Sequence, residues 1–244
     1  MKRPPQARGY APLSSNAETR RTLTAIRARA LREGEGAVAA FDLDGCLFDT
    51  RPRQVHIFRE YASRTGQFAL YKVEATHFRD WELGHTLARA GVEGVPLAPL
   101  REYWARAFFS SAYMTHDHAL PGAAALVHAV RDAGLHVVYL TGRDDGMRPG
   151  TEEALRRFGF PLDVPRATLL TKPRFDMDDT LFKESALETL ARLGRVVLYV
   201  DNEPANVNLF QDRHPDALVV FVETDHSPRP DRPHARIPWI RGFL

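Results

Sequence analysis

Two aspartates spaced two residues apart, Asp42 and Asp44, end the apolar run Ala37-Val38-Ala39-Ala40-Phe41. Carboxylates delivered by a buried strand cost several kcal/mol unless a cation or a metal compensates them. A second apolar run ends in Leu140-Thr141-Gly142-Arg143, where a hydroxyl and a glycine-opened backbone suit phosphate oxygens. A third ends in Val200-Asp201-Asn202-Glu203-Pro204 and brings another acid. Carboxylate and carbonyl oxygens without His or Cys favour a hard cation, Mg²⁺ foremost.

These residues need a scaffold that brings strand ends together. Five short runs, over residues 37–43, 136–140, 167–170, 196–200 and 218–222, are apolar throughout rather than alternating, which predicts a parallel sheet covered on both faces. Helical patterns over 121–133, 151–158, 180–193 and 204–212 separate them. A further amphipathic helix over 16–32 precedes them, with Ser15 and Glu18 at capping-box spacing. The expected fold is α/β: a three-layer, Rossmann-like parallel sheet of about five strands with helices on both faces. Ligands of such sheets bind beyond the carboxyl ends of the strands, where the acids and the threonine fall.

Residues 52–115 break the alternation and hold 11 of the chain's 24 aromatic residues, several spaced three or four apart. They read as an inserted α-helical cap with its own small core, set between core segments 16–51 and 116–244. Residues 1–15 read as a flexible basic arm, and the proline-rich stretch after residue 222 as irregular.

At this point the pattern resembles the haloacid dehalogenase superfamily, phosphatase branch, over about residues 37–222. Asp42-Leu43-Asp44-Gly45-Cys46 is similar to that family's first motif, with Cys46 where Thr or Val is usual, and Thr141 matches its second. Lys183, or alternatively Lys172, matches the third, and Asp201 the fourth, with Asn206 where a second acid is common. The resemblance implies that Asp42 is the nucleophile and Asp44 the acid and base. Thr141 and Lys183 would stabilise the transferring phosphoryl group, and Mg²⁺ would be held by Asp42, the Asp44 carbonyl and Asp201.

Gly45, Gly142, Arg143 and Arg51 are the expected substrate-binding residues. For Arg143, Arg51 and Arg53 the plainer alternative is a solvated surface arginine. His116 and His118 flank Asp117, but no third ligand has suitable spacing, and the stretch reads as a hinge before Pro121-Gly122. The expected activity is hydrolysis of a small-molecule phosphate monoester through an aspartyl-phosphate. Alternatives are a nucleic-acid end phosphatase or nucleotidase, a phosphomutase, or a binding protein of the same fold.

Composition narrows the classes further. The chain of 244 residues is 44% hydrophobic and 26% charged, as globular domains are. No apolar run exceeds six residues, which leaves no membrane span, and the first residues lack the apolar stretch of a secretory signal, so a cytoplasmic location is expected. One cysteine allows no intramolecular disulfide and no multi-cysteine zinc site. Residues 1–32 carry eight Lys or Arg against Glu18, while the remainder is net acidic; a nucleic-acid partner is thus possible but not favoured over a solubilising tail. Phosphate-loop, Gly-x-Ser-x-Gly and His-Glu-x-x-His motifs are absent, and no oligomeric state is legible.

Overall fold

The central strand β1 (Ala37–Phe41) is buried along its whole length, with small or apolar side chains on both faces. Only a strand flanked on both edges and covered on both faces meets that condition. The computed structural model, which describes residues 16–227 and 229–244, supplies it. Strand β1 pairs in parallel with β4 (His136–Asp144) on one side and β6 (Arg195–Asp201) on the other. Beyond them lie β5 (Ala167–Lys172) and β7 (Leu218–Val222), also parallel. The arm expected over residues 1–15, with Ser15, falls outside the described residues; helix α1 (Ala17–Glu33) is capped instead by Asn16, whose side chain accepts from Thr19 N at 2.8 Å.

Helices α1, α5 (Ala123–Asp132) and α6 (Arg148–Arg157) cover one face, where Leu23, Ile26, Leu126, Val130 and Leu155 pack on Ala37, Ala39 and Phe41. Helices α7 (Asp179–Leu193) and α8 (Pro204–Arg213) cover the other, with Phe182, Leu190, Val207 and Phe210 against Val38, Ala40 and Tyr199. The period-two alternation along β1 thus feeds two separate cores.

The sheet has six strands in the order β5-β4-β1-β6-β7-β8. The sixth lies in the tail, which the sequence reads as irregular. Trp239–Ile240 forms β8, parallel to β7, and buries Ile240 over what would be an open edge. Four prolines around this two-residue strand hide it in the sequence.

The insertion leaves and returns through one stem. Strand β2 (Phe48–Asp49) pairs antiparallel with β3 (His118–Ala119), so both crossings lie side by side. Between them run α2 (Arg51–Thr65), α3 (Leu83–Arg89), α4 (Leu97–Phe108) and short 3-10 turns. Pro52 sits in the first turn of α2, and Gly66 ends it in the left-handed region, its N–H bonded to Ala62 O. Phe58, Leu70, Phe78, Leu83, Leu100 and Phe108 form a third core confined to this segment. No helix among the described residues is long and apolar enough to cross a membrane.

Phe58 is fully buried in that third core. Phe58→Ala is expected to lower stability by about 3–5 kcal/mol, measured by urea denaturation; a loss below 1 kcal/mol would mean that the segment has no packed core.

Candidate active site

Strand order reverses at β1, whose neighbours β4 and β6 lead to opposite halves of the sheet. Such a reversal opens a crevice at the carboxyl ends. Thr141, Asp42 and Asp201 stand there on adjacent strands and are buried. The turn after β1 is tightened by three N–H groups, of Cys46, Leu47 and Phe48, donating to Leu43 O. Gly45 adopts φ +73°, and a Cβ there would run into the Asn202 amide and the Asp225 carbonyl. Cys46 fills the floor of the turn, fully buried beside Val200 O.

Lys183 reaches in from α7. Its Nζ donates to Asp42 Oδ1 at 2.6 Å and to Asp201 Oδ2 at 2.7 Å. Lys172 ends elsewhere, on Asp179 at the cavity rim, 2.7 Å away. Asp201 Oδ2 also accepts from the Tyr199 hydroxyl and from Asn206 Nδ2 at 3.1 Å, and Oδ1 from Glu203 N at 2.7 Å. Asn206 therefore serves as a donor that orients Asp201. Burial, reinforced by the Asp201 charge, pushes the Asp42 carboxyl well above its ordinary range despite Lys183. Burial alone would depress Lys183, but the two aspartates raise it, and it stays charged.

A second charge cluster lies alongside. Arg143 donates through Nε to both oxygens of Asp44 at 3.1 Å and through Nη2 to Asp44 Oδ1 at 2.5 Å and Asp117 Oδ2 at 2.7 Å. Arg53, carried by α2, places Nη2 3.2 Å from Asp44 Oδ1 and Nε 2.9 Å from Asp117 Oδ1. Its Nη1 donates to Phe108 O, and its guanidinium lies 3.9 Å over the Phe108 ring. Burial works against ionisation of Asp44, yet Arg143 and then Arg53 hold its carboxyl below the usual range.

These contacts correct the surface reading of the arginines: Arg53 and Arg143 are buried with their charges matched. Arg51 is buried too, bidentate to Asp49 at 2.7 and 2.6 Å in the stem, and like Gly45 it does not line the cavity. The irregular register between Thr141 and Asp144 turns Arg143 inward, which no residue spacing reveals. Asp117, read as a hinge residue, is fully buried between the two arginines. Gly142 does line the cavity, next to Asp179. His116 stacks on His56 at 3.6 Å, and among the described residues no three His, Cys, Asp or Glu side chains gather as a metal site.

The Mg²⁺ expectation meets a specific test in this donor set. With both carboxyls ionised, Asp42 and Asp201 exceed Lys183 by one negative charge, in keeping with the raised Asp42, whereas Asp44, Asp117, Arg53 and Arg143 balance. One Asp42 oxygen is left by Lys183, and Asn202 Oδ1 is buried with no hydrogen-bond partner among the described residues. Both residues line one cavity. Oxygen donors short of positive charge fit a hard divalent cation. The Asp44 carboxylate is committed to the arginines, so only its carbonyl is available to such an ion.

Solved structures that share this architecture include the Mycobacterium tuberculosis protein tyrosine kinase A, at 19% identity over 85% of this chain and 94% of that one, with a TM-score of 0.54. A predicted phosphoglycolate phosphatase from Haemophilus somnus 129pt matches at 14% identity over 84% and 94%, with a TM-score of 0.51. A haloacid dehalogenase-like family hydrolase from Streptococcus pneumoniae matches at 11% identity over 80% and 88%, with a TM-score of 0.50. No protein-family model and no curated protein sequence matches the chain. The chain thus has the fold of the haloacid dehalogenase-like hydrolases and phosphatases. A kinase among these structures shows that the fold alone does not set the reaction.

Two predictions follow from the charges. Arg143→Met keeps the side-chain length but leaves Asp44 and Asp117 sharing Arg53, and is expected to cost about 3–5 kcal/mol in urea denaturation; a change under 1 kcal/mol would show the cluster to be uncoupled. Burial raises Asp225 to about 6, partly offset by Arg51. The folded chain therefore binds more protons than the unfolded one above about pH 4, and stability falls as pH rises towards 6. Asp225→Asn should gain in Tm over the parent from pH 4 to 7, and a pH-independent difference would refute the assignment.

Proposed function

We propose that the protein is a Mg²⁺-dependent phosphatase that hydrolyses a small phosphate monoester through an aspartyl-phosphate on Asp42. The observation that carries this reading is the meeting of Asp42, Thr141, Lys183 and Asp201 at three adjacent strand ends and one helix. The likeness in fold to proteins named as phosphatase and hydrolase supports it.

The Asp42 oxygen not held by Lys183 attacks phosphorus in line, and the ester P–O bond breaks as the acyl phosphate forms. Lys183 and Thr141 receive the equatorial oxygens; the Thr141 hydroxyl accepts from Arg143 N at 3.2 Å, which leaves its own proton to donate. An ester that binds as its monoanion brings one proton; passed to Asp44, that proton goes on to the departing oxygen, and the carboxylate left behind takes one from the water that opens the acyl phosphate. The arginine pair keeps Asp44 ionised as seen here, the form that accepts the proton. Mg²⁺ held by Asp42, the Asp44 carbonyl and Asp201 would neutralise the phosphate dianion.

Trp81, Phe108 and Phe109 of the insertion line the same cavity as these groups. The insertion thereby acts as a cap, which suits a small enclosed ester better than a polynucleotide. Phosphate release should require Mg²⁺, stop with chelator, and fall at least about 10³-fold in Asp42→Asn. Retained turnover in that variant would overturn the mechanism.

A further inference from the structure

The cavity that holds Asp42, Thr141 and Lys183 continues without a break to an aromatic wall. Trp81, Phe108 and Phe109 line it together with the acids. The wall begins at Asp44: Arg53 bonds that carboxylate and lies directly over the Phe108 ring. If Asp44 serves the leaving oxygen, the leaving group lies on this side of the phosphorus. That direction rests on the phosphatase reading.

The rings are held at fixed angles. Phe108 is stacked on Trp104 at 4.8 Å, and meets Trp81 edge-on at 5.3 Å and Phe109 at 5.2 Å. Phe108 is almost fully buried, so Trp81 and Phe109 offer the surface. Phe109 is 39% exposed and Phe175, 58% exposed, meets it edge-on at 4.9 Å from the loop after β5. Clustered exposed aromatic side chains at a cavity mouth mark a binding surface more than a folding one.

Other lining residues are polar and acidic. Glu203 is fixed by Ser227, whose N–H and hydroxyl donate to it at 2.7 and 2.8 Å, and Asp179 and Thr180 line the same cavity. Among the described lining residues a second anionic group on the substrate finds no unpaired cation. Arg53 and Arg143 are engaged by Asp44 and Asp117, Lys172 by Asp179, and Arg229 bonds Thr180 and Asp178. Asp179 is matched by Lys172, which leaves the Glu203 carboxyl to disfavour an acidic leaving group, and both carboxyls accept from hydroxyl or amino groups.

We propose that the aromatic wall is a leaving-group subsite for an uncharged planar ring, so that the substrate is a phosphate monoester bearing such a ring, rather than a short acid or a bare sugar. Nucleoside monophosphates and aryl phosphates share this chemistry. Stacking on Trp81 and Phe109 contributes the affinity, and Glu203 and Asp179 accept from the ring's or sugar's donors.

The test compares kcat/KM of the full chain with Mg²⁺ for AMP, UMP and phenyl phosphate against ribose 5-phosphate and phosphoglycolate. Ribose 5-phosphate and AMP form a pair that differs by the base, and phenyl phosphate separates a nucleotide source from an aryl one. At least one ring-bearing ester is expected to exceed ribose 5-phosphate by about tenfold or more. That ratio should collapse in Phe109→Ala, a rim position chosen because Trp81→Ala also weakens the packing of the insertion. Equilibrium dialysis of AMP and phenyl phosphate against ribose 5-phosphate, with chelator present, gives a readout independent of turnover.

Turnover without ring preference, or with phosphoglycolate preferred, overturns the subsite and leaves the phosphatase reading standing. A preference that survives in Phe109→Ala also overturns it. Ring-dependent binding, weakened in Phe109→Ala but with no turnover of any ester, supports the subsite and overturns the phosphatase reading. Neither turnover nor ring-dependent binding overturns both.

Discussion

Burying carboxylates is the constraint around which this molecule is organised. Asp42, Asp117 and Asp201 are all removed from water, and each is held by a cation that is itself buried. Such charges cost several kcal/mol when unpaired, so the elements that carry Lys183, Arg53 and Arg143 cannot shift independently of those that carry the acids. Helix α7 is tied to β1 and β6 through one ammonium, and α2 is tied to the turn after β1 through one guanidinium.

The two charge groups divide the labour. The group around Lys183 is one positive charge short when both its carboxyls are ionised, and Asp42 and Lys183 present it to the cavity. The group around Arg143 is balanced and closed, and it fixes Asp44 by four short contacts to two arginines from different segments. Arg53 also braces Phe108, so the charge that holds Asp44 positions the first ring of the aromatic wall as well. Polar chemistry and apolar selection thus share a single side chain.

Much of this is legible in the amino-acid sequence. Uniformly apolar strands announce a buried parallel sheet, and an acid, a threonine and another acid at their ends announce a site, because strand ends in such sheets converge. Lys183 was identifiable from resemblance but not from physics alone, since Lys172 also follows an apolar run. The partners of Arg53, Arg143 and Asp117 were out of reach. Their contacts depend on a register irregularity in β4 and on how the insertion docks, and neither leaves a periodic trace. Arginine in a loop defaults to solvent, and only the fold shows that these two are interior. Strand β8 was hidden for a different reason: two residues among prolines carry too little pattern to register.

The position of β1 has a consequence for how the chain is made. Among the described strands it is translated first, yet Val38 pairs with His136 and Ala37 with Arg195, so both of its edges stay open until the insertion has been translated, and one stays open until β6 follows. At roughly 5–20 residues per second, β6 follows β1 by roughly 8–30 s. For most of that interval Asp42, at the end of this strand of Ala, Val and Phe, lacks Lys183, its buried cation. A charge so placed disfavours recruitment of another chain by an unpaired apolar edge. The acid at the head of the cavity in the finished protein thus bears on its synthesis as well.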